Sequence, residues 1–85
     1  MWPKDLTKEQ KARRALPYAQ LADELAPMSW YSTAELAWLY HILGEEDKMM
    51  EAAHRTVKQS PVRGAEFIRE YVGLEVAPNG KIITK

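Results

Sequence analysis

The sequence predicts a mainly α-helical fold: a compact bundle of about four helices, the first kinked at Pro17, with a short β-hairpin at about residues 74–84. Apolar residues recur at helical spacing through most of the chain, and glycine and proline stand where helices should end or begin. Near the end, Pro78, Asn79 and Gly80 separate two short apolar runs, which is typical of a hairpin. Eighty-five residues predict a single domain, 1–85.

Residues 29–43 form the most apolar and aromatic stretch of the chain, and this stretch predicts a central helix. Ser32 with Glu35 three positions later is the pattern of a capping box, so we expect the helix to begin directly after Ser32. Gly44 can take the left-handed conformation that ends a helix. The few polar residues do not gather on one face. We therefore expect this helix to be enclosed by its own domain or partly covered by a partner.

The first helix is predicted from the capping box of Thr7 and Gln10, and it should run from Lys8 to about Leu16. Pro17 is expected to kink or restart it, because proline has no N–H group and clashes with the preceding turn. Beyond Pro17 the expected apolar side comprises Tyr18, Ala19, Leu21, Ala22, Leu25 and Ala26.

Two more helices are predicted after Gly44. Acidic residues favour a helix start just after this glycine, and the helix should reach about Gln59, with an apolar stripe of Met49, Met50, Ala52, Ala53 and Val57. Ser60 and Pro61 are expected to cap and begin the next helix, and Gly73 to end it. The apolar side of that helix comprises Gly64, Ala65, Phe67, Ile68, Tyr71 and Val72.

Composition excludes several classes of function. The chain has no cysteine, so it can form neither disulfides nor thiolate metal sites, and it fits a reducing cytoplasm. No apolar run approaches the length needed to span a membrane. The net charge is zero, but residues 1–20 are basic, 21–54 acidic and 55–85 basic. These segments can neutralise one another in the folded domain, or the acidic middle can face a basic partner.

Catalytic and metal-binding patterns are weak. The glycines are scattered, and the serines and threonines sit at expected caps or on helix surfaces, so we expect no enzyme and no cofactor. Glu51 and His54 share a helix face, but a metal site needs three or four convergent ligands and this chain has one such pair. His41 is more simply a half-buried histidine than a ligand.

Surface recognition is the leading hypothesis. Trp2, Trp30 and Tyr31 lie outside predicted helix interiors, and tryptophan and tyrosine are enriched at interface hot spots. The predicted partner-binding surface combines these aromatics with an acidic rim, Glu45, Glu46 and Asp47, docking on a basic surface of another protein. We therefore expect a non-enzymatic module that acts by stoichiometric occlusion or as an adaptor. Many phage and mobile-element inhibitors of host machinery are small proteins of this kind, an association that no particular residue carries.

Two alternatives remain. A DNA-binding regulator would use a helix-turn-helix around Gly44 or the basic residues Lys8, Lys11, Arg13 and Arg14. Against the helix-turn-helix, the would-be recognition helix opens with acidic residues, which would repel phosphates. A self-assembling structural subunit would instead cover the apolar central helix with a second copy. The sequence does not identify the partner.

Overall fold

The computed structural model describes residues 7–83. The elements follow in the order α1 (Lys8–Leu25), α2 (Trp30–Leu43), α3 (Glu46–Gln59), α4 (Arg63–Phe67), a π-helical segment (Ile68–Val72) that continues α4, β1 (Glu75–Val76) and β2 (Ile82–Ile83). The predicted fold class, a compact helical bundle with a C-terminal hairpin, is confirmed.

The hairpin closes the chain against the helices. β1 and β2 are antiparallel, with Glu75 opposite Ile83 and Val76 opposite Ile82. Val76 and Ile82 point into the core, whereas Glu75 and Ile83 are exposed, as the two-residue period of a half-buried strand requires. The Asn79 side chain accepts a hydrogen bond from the backbone N–H of Lys81, which stabilises the predicted turn. Position 84 of the predicted hairpin lies outside the described residues.

The core is built around α2, which packs on α1 on one side and on α3 on the other. Its buried residues come from every helix and from both strands: Ala12, Ala19, Leu36, Ala37, Leu39, Met49, Ala52, Ala53, Val57, Ala65, Ile68, Val72, Val76 and Ile82. The apolar stripe predicted for α3 is confirmed, with Met50 half-buried at its margin. Thus α2 is largely enclosed by its own domain, the first of the two alternatives its composition allowed.

α1 differs from the prediction in its continuity and in the face that it buries. The capping box of Thr7 and Gln10 is present, and one continuous helix runs through Pro17, so of the two predicted effects of Pro17, a kink or a restart, the restart does not occur. Proline has no N–H to donate to the backbone carbonyl one turn earlier. Because α1 is exposed at Pro17, water can donate to that carbonyl instead. α1 buries Ala12 and Ala19. Leu16 is half-buried against the core. The three large apolar residues beyond Pro17 are instead exposed: Tyr18 (77%), Leu21 (52%) and Leu25 (77%), hereafter the outer stripe.

The predicted start of α2 is also wrong. The helix begins at Trp30, with Ser29 as N-cap, and not after Ser32. Within the described chain the Ser29 side chain makes no capping hydrogen bond, so the cap is made by the backbone. The helix extends to Trp30 because this ring packs edge-on against Phe67 of α4, a tertiary contact that outweighs the local capping signal. Gly44 ends α2 with φ of 74°, as expected.

The start of the fourth helix is a third correction. Ser60 is the C-cap of α3, not the N-cap of the next helix, and α4 begins at Arg63. Gly64 is buried where α4 crosses α3: a Cβ atom there would lie 2.5 Å from the carbonyl oxygen of Thr56. The two backbones therefore approach more closely than any other residue would permit. Gly73 ends the π-helical segment with φ of 79° and donates its N–H to Ile68.

One polar network connects three helices. The carboxylate of Asp23 in α1 accepts hydrogen bonds from the guanidinium of Arg55 in α3, at 3.2 Å, and from the hydroxyl of Thr33 in α2, at 2.9 Å. A second Arg55 nitrogen lies 3.1 Å from the other carboxylate oxygen, so the ion pair is bidentate. The Asp23 side chain is 14% exposed and the Arg55 side chain 38%, so solvent reaches the pair mainly from the arginine. Asp23 thereby fixes α1 against the α2–α3 pair.

Candidate functional site

Four aromatic rings meet where the start of α2 packs on α4 and the π-helical segment. Trp30 and Tyr31 each contact Phe67 edge-on, with ring centroids 6.4 Å apart in both pairs. Phe67 also packs on Tyr71, at 4.6 Å. Trp30 and Tyr31 contact one another at 5.7 Å. We call these four residues the aromatic cluster.

The backbone explains why these rings converge. Trp30 and Tyr31 are consecutive in the first turn of α2, so they leave the helix in directions about 100° apart. Phe67 and Tyr71 are four residues apart, so their side chains neighbour each other along the helix. Trp30 and Phe67 are half-buried, whereas Tyr31 is 60% and Tyr71 54% exposed. The cluster is therefore an aromatic surface in which Trp30 and Phe67 are half-buried and Tyr31 and Tyr71 form an exposed rim.

Two further apolar residues lie at the same end of the bundle. The side-chain amide of Gln59 donates a hydrogen bond to the carbonyl of Pro27, at 2.8 Å, and joins the α1–α2 connection to the end of α3. Met28 and Val62, one in each of the connections that flank this bond, are both exposed. Exposed apolar residues that gather at one end of a small domain are typical of an interaction surface.

The predicted acidic rim is separate from the aromatics. Glu45, Glu46 and Asp47 are exposed and lie where α3 begins, beyond the C-terminal end of α2, whereas Trp30 opens α2. The length of α2 places the two groups about 20 Å apart. The structure thus brings Trp30 and Tyr31 together with Phe67 and Tyr71, which sequence reasoning had assigned to a buried helix face, and not with the acids. Trp2 lies outside the described residues.

The basic residues of the nucleic-acid alternative are all exposed on the first turns of α1: Lys8, Lys11, Arg13 and Arg14. Arg13 forms an ion pair with Glu9, at 3.1 Å, one turn earlier on the same helix. Helical geometry turns Arg13 away from Lys11 and Arg14, so the four cations do not form one continuous stripe.

A surface groove with a volume of about 800 Å³ lies between the second half of α1 and the facing parts of α2 and α3. Four of its polar residues pair with one another. Asp23 and Arg55 form the ion pair described above, and the Gln20 amide donates to the Tyr40 hydroxyl, at 3.2 Å. These contacts bind the helices to each other, which gives the four residues a structural role.

Within residues 7–83, no group of three or more histidine, aspartate or glutamate side chains converges to hold a metal ion. Glu51 and His54 are both exposed on α3. Among the described helices, none is long and apolar enough to cross a membrane.

Comparisons with known proteins give no relative: no protein-family model matches the chain, and no curated protein and no solved structure matches it significantly.

Proposed function

We propose that this chain is a non-enzymatic protein-binding module that acts by stoichiometric binding, with the aromatic cluster as its contact surface. The observation that carries the proposal is the exposed rim formed by Tyr31 and Tyr71 above the half-buried rings of Trp30 and Phe67. Exposed rings contribute little to folding, whereas each one buried against a partner would contribute about 1–2 kcal/mol to binding.

The cluster has the features of a preorganised hot spot. Its rings project from helices, and three of them contact Phe67, so little side-chain freedom is lost when a partner docks. Tyrosine also offers a hydroxyl, which can hydrogen-bond at the margin of an otherwise apolar contact. The partner surface that fits is an apolar side chain or short apolar segment with hydrogen-bonding groups around it.

The acidic residues Glu45, Glu46 and Asp47 have a different place in this proposal. Because about 20 Å separates them from the aromatic cluster, only a partner that extends along α2 could touch both surfaces. Exposed acidic groups at that distance would raise the rate of association with a basic partner more than they would strengthen the complex. The aromatic contact should therefore supply most of the binding free energy.

The test is affinity capture from a lysate of the source cells with the full-length tagged chain, with and without nuclease. The wild-type chain should retain a protein in stoichiometric amount after nuclease treatment. The double variant Tyr31→Ala/Tyr71→Ala should lose it. The matched control is Tyr18→Ala, which makes the same chemical change at an even more exposed tyrosine on α1. Circular dichroism should show equal helicity in all three proteins.

Two results would reject the proposal. If Tyr31→Ala/Tyr71→Ala captures the same protein as well as the wild-type chain does, the aromatic cluster is not the contact surface. If everything captured disappears with nuclease, the DNA-binding alternative gains support. In that case binding should also fall steeply with salt and depend on Arg13 and Arg14.

A further inference from the structure

The outer stripe of α1 is a second exposed apolar surface, distinct from the aromatic cluster. Tyr18, Leu21 and Leu25 are separated by three and then four residues, so they form one line along the helix. This line lies about 140° around α1 from Ala12 and Ala19, which pack on the core. α1 therefore has two apolar sides. One packs on the core and includes the half-buried Leu16, and the other is the exposed outer stripe, whose Leu21 also lines the groove between α1 and the α2–α3 pair.

The spacing of this stripe is that of a helix-pairing seam. Extended toward the N-terminus, the alternation of three and four residues continues through Arg14 to Lys11. A repeat of three and four, averaging 3.5 residues, is the pattern with which one helix packs its side chains into the gaps of another. The occupant that this surface fits is consequently a helix.

The distribution of charge and size favours a second copy of α1 itself, in antiparallel orientation. The seam is symmetric about a point between Tyr18 and Leu21, so antiparallel pairing places each Tyr18 against the other copy's Leu21. The same register places Arg14 against the other copy's Leu25 and next to its Glu24. Arg14 and Glu24 are both exposed, and their opposite charges would meet twice in a symmetric pair.

We propose that two copies of this chain associate through the outer stripes of their α1 helices, packed antiparallel. The aliphatic parts of Lys11 and Arg14 cover apolar surface at each end of the seam, while their charges reach toward Glu24. The contact is small, with three large apolar residues per copy, so the dimer is weak and its population depends on concentration. A parallel pair would instead bring like charges together, Arg14 near Arg14 and Glu24 near Glu24.

This inference goes beyond the proposed function and does not depend on it. The outer stripe and the aromatic cluster have no residue in common, so separate variants test the two contacts.

The test is sedimentation of the full-length chain over a concentration range from about 5 µM to about 1 mM, where a weak dimer changes population. The wild-type average mass should rise toward twice the monomer mass. Leu21→Lys/Leu25→Lys should remain monomeric at every concentration, whereas Tyr31→Ala/Tyr71→Ala should dimerise as the wild type does. A wild-type chain that stays monomeric throughout would overturn the proposal, as would a dimer that survives Leu21→Lys/Leu25→Lys.

A charge exchange tests the antiparallel arrangement. Arg14→Glu alone and Glu24→Arg alone each place like charges together twice in an antiparallel pair, so each homodimer should weaken by roughly tenfold in Kd. The double variant Arg14→Glu/Glu24→Arg restores both opposite-charge contacts within an antiparallel homodimer and should dimerise more strongly than either single variant. In a parallel pair like charges already meet in the wild type. Single variants that dimerise as the wild type does, or a double variant no stronger than the single variants, would therefore overturn the antiparallel arrangement.

Discussion

α1 and α2 are neighbouring helices with opposite relations to the core. The 14 residues of α2 bury Leu36 and Leu39 between α1 and α3, whereas the only fully buried residues of α1 are Ala12 and Ala19, and its Tyr18, Leu21 and Leu25 are exposed. α1 is held by these two alanines, by the partly buried Ala15 and Leu16, and by the Asp23 ion pair. Helical periodicity therefore identifies apolar faces but does not decide which of them the domain itself covers.

The largest expected effect separates these helices directly. Leu39→Ala should lower the free energy of unfolding by about 2–4 kcal/mol, because it opens a cavity in the core. Leu25→Ala removes the same atoms from the outer stripe and should cost less than about 0.5 kcal/mol. Urea unfolding followed by circular dichroism, at a concentration where the chain is monomeric, measures both. Equal losses at the two sites would mean that Leu25 contributes as much to folding as the core residue Leu39 does.

A second effect concerns the contact between α3 and α4. Gly64→Ala should lower the free energy of unfolding by about 1–3 kcal/mol, because the added methyl group would collide with the carbonyl of Thr56. The same urea titration measures it, with Glu66→Ala, at an exposed position of α4, as the control. In an uncrowded helix the replacement of glycine by alanine is favourable by up to about 1 kcal/mol. A stabilised Gly64→Ala variant would show that the two helices do not approach so closely.

The attachment of α1 through Asp23 should have a smaller effect. Asp23→Asn keeps an acceptor for Thr33 but removes the charge that Arg55 contacts, so we expect a loss of about 1–2 kcal/mol. Glu24→Gln makes the same change one residue later at an exposed position and should alter the free energy of unfolding by less than about 0.5 kcal/mol. Equal values for the two variants in urea unfolding would mean that the ion pair does not fix α1.

The smallest stability effects are expected in the aromatic cluster. Tyr31→Ala and Tyr71→Ala each remove an exposed ring that contacts Phe67. Each should lower the free energy of unfolding by about 0.5–1 kcal/mol. Thermal unfolding of the single variants, compared with Tyr18→Ala, measures this. A loss as large as that of Leu39→Ala would instead make the cluster part of the core and remove the reason to regard it as a contact surface.

Much of the fold could be predicted because its signals are local. Thr7 with Gln10 marks the start of α1, Gly44 and Gly73 mark helix ends, and the residues around Asn79 mark the hairpin. The wrong start of α2 comes from a tertiary contact that overrides a local pattern. Ser32 offers a good cap, yet α2 starts earlier, where Trp30 meets Phe67.

The candidate site was predicted only in part for the same reason. Trp30 and Tyr31 could be chosen from the sequence because they stand outside the expected helix interior. Phe67 and Tyr71 could not, since their spacing fits a buried face, and the exposure of Tyr71 depends on how α4 and the π-helical segment pack. The spacing of four between two aromatics was the available signal. Similarly, the Asp23–Arg55 pair joins residues 32 positions apart, which no local pattern reveals.

The most direct test of the central claim is the affinity of the captured protein for the wild-type chain and for two tyrosine variants. It is measured by titration calorimetry with purified components, at concentrations where the chain is monomeric and the outer stripe that contains Tyr18 is unpaired. Tyr31→Ala/Tyr71→Ala should raise Kd by at least about tenfold, since two hot-spot rings are lost, whereas Tyr18→Ala should leave it within about twofold. Equal affinity for all three proteins, or a loss confined to Tyr18→Ala, would contradict the assignment of the aromatic cluster as the contact surface.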